Sequence, residues 1–185
     1  MAMTDEEYML RAVELAKKGT GWTNPNPLVG AVIVKGGRII GEGYHKKYGG
    51  LHAEREALAS ANEDVSGATI YVTLEPCCHY GKQPPCVNAI IEAGIKRVVI
   101  GSYDPKPLVA GKCVDILREH NITVDDKLVC SEECKSLNYV FFNYIKEKKP
   151  YVILKYAQSL DGKIATHTGL SQWITGETAR NKVHM

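Results

Sequence analysis

The chain has 185 residues, of which 44% are hydrophobic and 24% are charged, close to the averages of globular proteins. This composition excludes a disordered or fibrous chain and supplies enough apolar residues for a core. The 23 lysines and arginines nearly balance the 21 aspartates and glutamates, which gives a formal net charge of +2. Such a balance argues against a non-specific nucleic-acid binder and against a protein held on a membrane surface.

The sequence also bears on the compartment. It contains no run of about 18 apolar residues that could cross a bilayer, and its first residues are polar and acidic, unlike a signal peptide. We therefore expect a cytoplasmic protein without a membrane partner. In that compartment, six cysteines are more often free thiols or metal ligands than disulfides.

The first predicted elements are a helix and a hairpin. Thr4 followed by Glu7 is a capping-box pattern, and apolar residues then recur at helical spacing. A turn-rich stretch over 19–27 ends this helix. An apolar, β-branched run at 28–34 and a second predicted strand at 38–44 flank the pair Gly36-Gly37, which is typical of a β-hairpin.

The chain then alternates helices and strands. Helices are predicted at 51–62, 86–93, 112–120 and 131–146, and strands at 69–74, 97–100 and 122–124. Strands separated by helices of crossover length imply a partly parallel sheet that is covered on both faces. The predicted fold class for residues 1–146 is therefore an α/β sandwich.

A domain boundary is predicted after residue 146. The charged run at 146–149 ends at Pro150, and an apolar run at 151–157 then resembles a strand. About 35 residues cannot bury a core of their own. We therefore expect residues 147–185 to be a linker and the start of a second, truncated domain.

The strongest chemical signal is a set of metal-ligand residues at two helix starts. His52 and Glu54 open one predicted helix, while Pro76-Cys77 and Pro85-Cys86 precede or open the next. One imidazole and two thiolates suit a zinc site whose fourth position is left to water, and zinc lowers the pKa of such a water to about 7. Glu54 can move protons without being a ligand. The set matches the H-x-E…P-C-x-x-C signature of zinc deaminases.

The spacing of the two cysteines departs from that signature. Eight residues separate Cys77 from Cys86, where the common nucleoside deaminase pattern has two. The inserted loop contains His79 and Lys82, so an imidazole and a cation lie close to the predicted metal. Such groups suit an anionic substrate, for example a phosphate. A solvated loop with ordinary charges is the alternative.

These motifs identify a family resemblance. The segments that carry it are NPLVGAV at 26–32, GEGYH at 41–45, HAE at 52–54, TLEPC at 73–77, HYGK at 79–82, PPC at 84–86 and DP at 104–105. Over about residues 4–145 the chain resembles the deaminase domain of the bifunctional riboflavin-biosynthesis deaminase–reductases, and the long cysteine spacing is specific to that family. The segments LK at 154–155, SLDGK at 159–163 and SQWI at 171–174 resemble the start of the family's reductase domain.

The resemblance implies a fold and a set of residue roles. The fold would be a cytidine-deaminase-like three-layer α/β/α sandwich with a mixed five-stranded sheet. One Zn²⁺ would be bound by His52, Cys77 and Cys86, and Glu54 would carry protons. The implied substrate contacts are Asn26, His45, His79, Lys82 and Asp104. NADPH would serve only the remainder of the reductase domain.

Two positions depart from the family pattern, and two have simpler explanations. Cys78 stands where the family has serine; because the family ligand directly follows Pro76, the resemblance favours Cys77. Lys106 stands where the family has asparagine, although a cation could also serve a phosphate. Asn26 could be a turn residue among prolines, and Asp104 could be a turn former before a proline.

The resemblance implies a function. The chain would catalyse the zinc-dependent hydrolytic deamination of 2,5-diamino-6-ribosylamino-4(3H)-pyrimidinone 5′-phosphate in riboflavin biosynthesis, with release of ammonia. Its partner would be this small phosphorylated pyrimidine and not a nucleic acid, and a homo-oligomer is compatible with the sequence. The alternatives are a nucleoside, base or tRNA deaminase of the same fold, and a non-catalytic interaction module stabilised by zinc.

Overall fold

The computed structural model describes residues 3–81, 83–106, 110–125 and 127–184. The chain divides into two units, Met1–Pro150 and Tyr151–Met185. None of the helices among the described residues is long and apolar enough to span a membrane.

The first unit contains a five-stranded sheet. Its strands are β1 (Gly30–Lys35), β2 (Arg38–Tyr44), β3 (Thr69–Val72), β4 (Arg97–Ile100) and β5 (Thr123–Val124). Their order across the sheet is β2-β1-β3-β4-β5. Strand β1 is antiparallel to both of its neighbours, whereas β3, β4 and β5 are parallel. The mixed five-stranded sheet is confirmed.

Helices cover both faces of this sheet. They are α1 (Asp5–Lys17), α2 (Ala53–Ser60), α3 (Cys86–Glu92), α4 (Lys112–Glu119), α5 (Ser131–Ser136) and α6 (Tyr139–Glu147). Because side chains alternate along a strand, Ile33 packs into one buried cluster with α2, α3 and α4, while Val32 packs into a second cluster with α1 and α5. This arrangement confirms the three-layer α/β/α sandwich.

The local sequence signals at the start of the chain form the predicted structures. The Glu7 N–H donates to Thr4 Oγ1 at 3.3 Å and the Thr4 N–H donates to Glu7 Oε2 at 2.7 Å, which completes the capping box of α1. Gly36 and Gly37 have φ angles of +57° and +75°, the left-handed pair that a tight hairpin turn requires. The hairpin of β1 and β2 is confirmed.

Helix α2 lies very close to strand β2. A Cβ atom at Gly43 would lie 2.2 Å from the Ala57 nitrogen and 2.4 Å from the Ala53 oxygen, closer than real atoms approach. Glycine at this position therefore lets the helix backbone rest directly on the strand. This contact fixes the start of α2, where His52 and Glu54 lie, against the edge strand of the sheet.

The predicted single helix over 131–146 is wrong at Asn138, where the structure has a break between α5 and α6. The Asn138 side chain is 5% exposed and bonds across the chain: its Nδ2 donates to the Leu28 carbonyl and its Oδ1 accepts from the Leu28 N–H, both at 2.7 Å. These bonds hold Asn138 in a non-helical conformation, with φ −124° and ψ 26°. The break ties α5 and α6 to the segment just before β1.

The second unit differs from its prediction. In the described part of this unit, residues 151–184, the structure has a short helix α7 (Glu177–Val183) and no strand, so the predicted strand over 151–157 is wrong. A strand needs a neighbouring strand to satisfy its backbone groups, and this stretch provides none. The guanidinium of Arg180 lies 4.3 Å from the Trp173 ring centroid.

The two hydrogen bonds between the Asn138 side chain and the Leu28 backbone, called here the Asn138 bridge, give a stability prediction. We expect Asn138→Ala to lower the free energy of unfolding by about 1–3 kcal/mol, because it leaves the N–H and C=O of Leu28 without their partners. Urea denaturation followed by circular dichroism measures the difference. Asn62→Ala, at an exposed position, is the matched control. Equal stability of the two variants would show that the bridge contributes nothing.

Candidate metal centre and substrate cavity

His52 and Glu54 are positioned by the start of helix α2. His52 is the N-cap residue, with extended backbone angles (φ −75°, ψ 161°), and its imidazole does not cap the helix. The ring is therefore available for other contacts. Glu54 lies in the first helical turn, and its side chain is 3% exposed.

The two cysteines meet at the start of helix α3. Cys77 follows strand β3 after a short connection, and Cys86 is the first residue of α3. The backbone N–H of Cys86 donates to Cys77 Sγ at 3.3 Å, and the N–H of Val87 donates to the Cys77 carbonyl at 3.2 Å. Unpaired N–H groups at a helix start stabilise thiolates in this way. The loop that separates the cysteines in sequence is therefore closed at both ends.

The three predicted ligands are close together. His52 Nδ1 lies 3.5 Å from Cys77 Sγ and 3.3 Å from Cys86 Sγ, and all three ligand atoms fall within 4.8 Å of one another. Tetrahedral zinc with ordinary bond lengths would separate a nitrogen and a sulfur ligand by about 3.6 Å. The donor set and its spacing therefore fit zinc. Cys78 is outside this group.

The ligand atoms already share protons. A hydrogen bond from the Cys86 thiol lowers the pKa of Cys77 to about 4. The same contact raises the pKa of Cys86, and the hydrogen bond to Cys77 raises the pKa of His52. A cation bound between these atoms would replace the shared protons.

Glu54 is buried beside this group. Burial is the main cause that raises the pKa of its carboxyl to about 7, and the charge of Cys77 acts in the same direction. The carboxyl also forms a hydrogen bond with Cys86. A buried carboxyl with a pKa near neutrality can both accept and donate a proton at physiological pH.

A cavity of about 240 Å³ opens beside these residues. Its lining includes two of the three ligand side chains, His52 and Cys77, together with Glu54. Four of the five predicted substrate contacts also line it, namely Asn26, His45, His79 and Asp104. The fifth, Lys82, lies outside the described residues.

Hydrogen bonding fixes the orientation of the Asn26 side-chain amide. The Leu51 carbonyl can only accept, so the His45 Nδ1 that lies 2.8 Å from it carries the hydrogen. Burial lowers the pKa of His45, which favours the neutral ring, and Nε2 then accepts from Asn26 Nδ2 at 3.1 Å. Both nitrogens of His45 are thus bonded within the protein. Asn26 is left to offer its Oδ1 as an acceptor to a ligand.

Sequence reasoning gave no role to several residues of the cavity wall, among them Phe141 and Glu75. Phe141 comes from α6, and no motif in the sequence marked it. Glu75 is part of the TLEPC segment that identified the resemblance, so a signal was present but carried no assignment. Lys106 also lines the cavity, and its Nζ lies 6.0 Å from the Phe141 ring centroid.

The family comparison agrees with the motifs. Residues 2–102 match the family described as the cytidine and deoxycytidylate deaminase zinc-binding region, and residues 150–185 match the RibD C-terminal domain. The riboflavin biosynthesis protein RibD of Actinobacillus pleuropneumoniae is 61% identical over 181 residues, which cover 98% of this chain and 48% of the relative. The Escherichia coli RibD protein is 49% identical over 183 residues, which cover 99% and 50% of the two chains.

A solved structure is similar to this chain in both sequence and fold. The Thermotoga maritima diaminohydroxyphosphoribosylaminopyrimidine deaminase/5-amino-6-(5-phosphoribosylamino)uracil reductase superposes with a TM-score of 0.91 at 56% identity, over 97% of this chain and 52% of that one. The chain thus spans about half the length of the curated relatives it matches. On the match of residues 2–102, this chain belongs to the cytidine and deoxycytidylate deaminase family of zinc-binding proteins.

Proposed function

We propose that this chain carries out the zinc-dependent hydrolytic deamination of 2,5-diamino-6-ribosylamino-4(3H)-pyrimidinone 5′-phosphate, with release of ammonia, in riboflavin biosynthesis. One observation carries the proposal: three zinc-ligand side chains and a buried carboxyl with a pKa near 7 converge at one cavity. The name of the similar Thermotoga maritima protein, whose first activity is a pyrimidine deaminase, supports this substrate.

The proposal assigns one zinc ion to His52, Cys77 and Cys86. When bound, zinc supplies a water that is activated for attack at neutral pH. Three protein ligands would leave one coordination position for water, as a catalytic site requires, and two of them, His52 and Cys77, line the cavity. A purely structural zinc site would have four protein ligands, and the described residues within 4.8 Å supply three.

Glu54 carries the protons in this proposal. Its carboxylate accepts a proton from the attacking water and gives it to the ring nitrogen beside the amine-bearing carbon. The second proton of the same water then passes through this carboxyl to the amine, and the bond between the ring carbon and the amine breaks. The products are the ring carbonyl and ammonia. The pKa of about 7 lets one group perform both transfers.

The remaining cavity residues hold the substrate. Asn26 Oδ1 accepts from an N–H or O–H group of the pyrimidine, and His45 keeps that amide in its orientation. Asp104 and His79 line the same cavity and provide further polar contacts for the pyrimidine. Cations are left for the phosphate, and Lys82 and Lys106 are the candidates.

Specific features argue against the two alternatives. A nucleoside, base or tRNA deaminase would have two residues between its cysteines, where this chain has eight. A non-catalytic zinc module would have no use for Glu54, whose burial beside two thiols is unfavourable without a function. We assign NADPH to a complete RibD C-terminal domain, of which residues 150–185 match a part.

The ligand assignment predicts zinc content. We expect the purified wild-type protein to hold one zinc ion per chain, and Cys77→Ser to lose it on dialysis, because two ligands bind zinc far more weakly than three. Elemental analysis by mass spectrometry measures the ratio. The neighbouring thiol gives the control, since Cys78→Ser should keep its zinc. Loss of zinc from Cys78→Ser alone would reverse the assignment.

The proton-transfer role predicts the effect of a nearly isosteric change. We expect Glu54→Gln to keep its zinc and its fold and to lower the rate of ammonia release by about 10²–10⁴-fold, because an amide cannot cycle a proton. Ammonia release from the phosphorylated pyrimidine is the assay. Glu56→Gln, on the same helix and paired with Lys46 at 2.6 Å, is the control. A Glu54→Gln variant with wild-type turnover would exclude the role.

Phosphate recognition is tested with the lysines. We expect Lys82→Ala to raise KM for the phosphorylated substrate about ten- to a hundredfold, because one charge-assisted contact is lost. The dephosphorylated substrate should show no such change. Lys106→Ala, measured in parallel, tells which cation contributes more. Equal losses on both substrates would return the loop to a structural role.

A further inference from the structure

Glu75 is a buried charged residue to which the proposed mechanism gives no task. It lies two residues before the ligand Cys77, and it is 4% exposed. Within the described part of the chain, its carboxylate is bonded to backbone N–H groups instead of to a lysine or an arginine. Burying a carboxylate is costly, so this bonding calls for a physical explanation.

The carboxylate joins the two ends of one loop. Oε2 accepts from the N–H of Asp104 at 3.2 Å and from the N–H of Gly111 at 3.1 Å, while Oε1 accepts from the N–H of Cys113 at 3.3 Å. The Glu75 backbone adds a fourth bond, because its N–H donates to the Ser102 carbonyl at 2.8 Å. Glu75 therefore holds the start and the end of the segment 102–113.

Two of these bonds satisfy the start of helix α4. Its N-cap residue is Gly111, which has no side chain to cap the first turn. Glu75 supplies the missing acceptor from a distant segment, and the negative charge is stabilised by the helix dipole. Burial raises the pKa of the Cys113 thiol, and the charge of Glu75 and a hydrogen bond to its carboxylate raise this pKa further.

The segment that Glu75 holds forms part of the cavity wall. Asp104 and Lys106 both line the cavity, and the Lys106 N–H donates to Asp104 Oδ1 at 2.8 Å, so the two belong to one hydrogen-bonded turn. Because Glu75 is joined to Cys77 through a single proline, it links this turn to the metal centre by a short covalent path.

We propose that Glu75 is a positioning residue for the deamination: it sets the distance of Asp104 and Lys106 from the metal centre. The inference rests on the proposed function. It also requires the carboxylate itself, since all three partners are donors. In Glu75→Gln the oxygen can keep some of them, but the NH₂ group must then face at least one N–H.

The test compares Glu75→Gln with Glu92→Gln, an exposed position on α3. We expect Glu75→Gln to keep its zinc and its kcat within about threefold, and to raise KM by about tenfold or more, because a misplaced wall weakens ground-state and transition-state binding alike. A residue that only supported the fold would lower the amount of active protein and would not raise KM while leaving kcat nearly unchanged. Glu92→Gln should match the wild type.

Hydrogen exchange gives a readout that is independent of activity. In zinc-loaded protein, the amides of Asp104, Gly111 and Cys113 should exchange at least about tenfold faster in Glu75→Gln than in the wild type, as measured by NMR. Unchanged exchange, or an unchanged KM in the zinc-loaded variant, would overturn the proposal. If Glu75→Gln fails to fold, Glu75→Asp, which keeps the charge on a shorter side chain, takes the same measurements with the same criteria.

The outcomes separate this inference from the proposed function. If the wild type releases no ammonia from the pyrimidine, the proposed function is rejected, and the role of Glu75 in that reaction is rejected with it. Fast exchange in Glu75→Gln would still establish that the carboxylate holds the loop. If the wild type is active and Glu75→Gln lacks either the KM change or the faster exchange, only the inference fails.

Discussion

Helices α2 and α3 begin close together, since His52 Nδ1 lies 3.3 Å from Cys86 Sγ. Their starts carry two of the three proposed metal ligands, His52 and Cys86, and the proposed proton carrier Glu54. Gly43 lets α2 rest directly on strand β2, which fixes His52 and Glu54. The N–H of Cys86 then bonds Cys77 Sγ, which brings the second thiol to the same point. The cavity opens beside these two helix starts, and its wall also contains Asn26, His79 and Asp104.

The charges at this point require a counter-ion. Two thiols and the Glu54 carboxyl lie in a largely buried space, and burial raises the pKa of that carboxyl. Buried anions are unfavourable unless a cation or hydrogen bonds compensate for them. A bound divalent metal would do so, and its binding would add to the stability of the fold. In the absence of a metal, hydrogen bonds among His52, Cys77 and Cys86 compensate for part of this charge.

Much of the fold and the site could be predicted because the signals are local. The capping box at Thr4 and the glycine pair of the hairpin act within a few residues, and the ligand motifs are short. The helix break at Asn138 could not be predicted, because its cause is a bond to Leu28, 110 residues away in sequence. The hydrogen bonds of the Glu75 carboxylate could not be predicted for the same reason, since their donors lie 29 to 38 residues further along the chain.

X-ray absorption spectroscopy at the zinc edge of the purified protein tests the central claim most directly. The account predicts two sulfur neighbours at about 2.3 Å and two nitrogen or oxygen neighbours at about 2.0–2.1 Å, of which one is the His52 nitrogen and one is water. Four sulfur neighbours, a shell made only of nitrogen and oxygen, or protein that binds no zinc at all would contradict it.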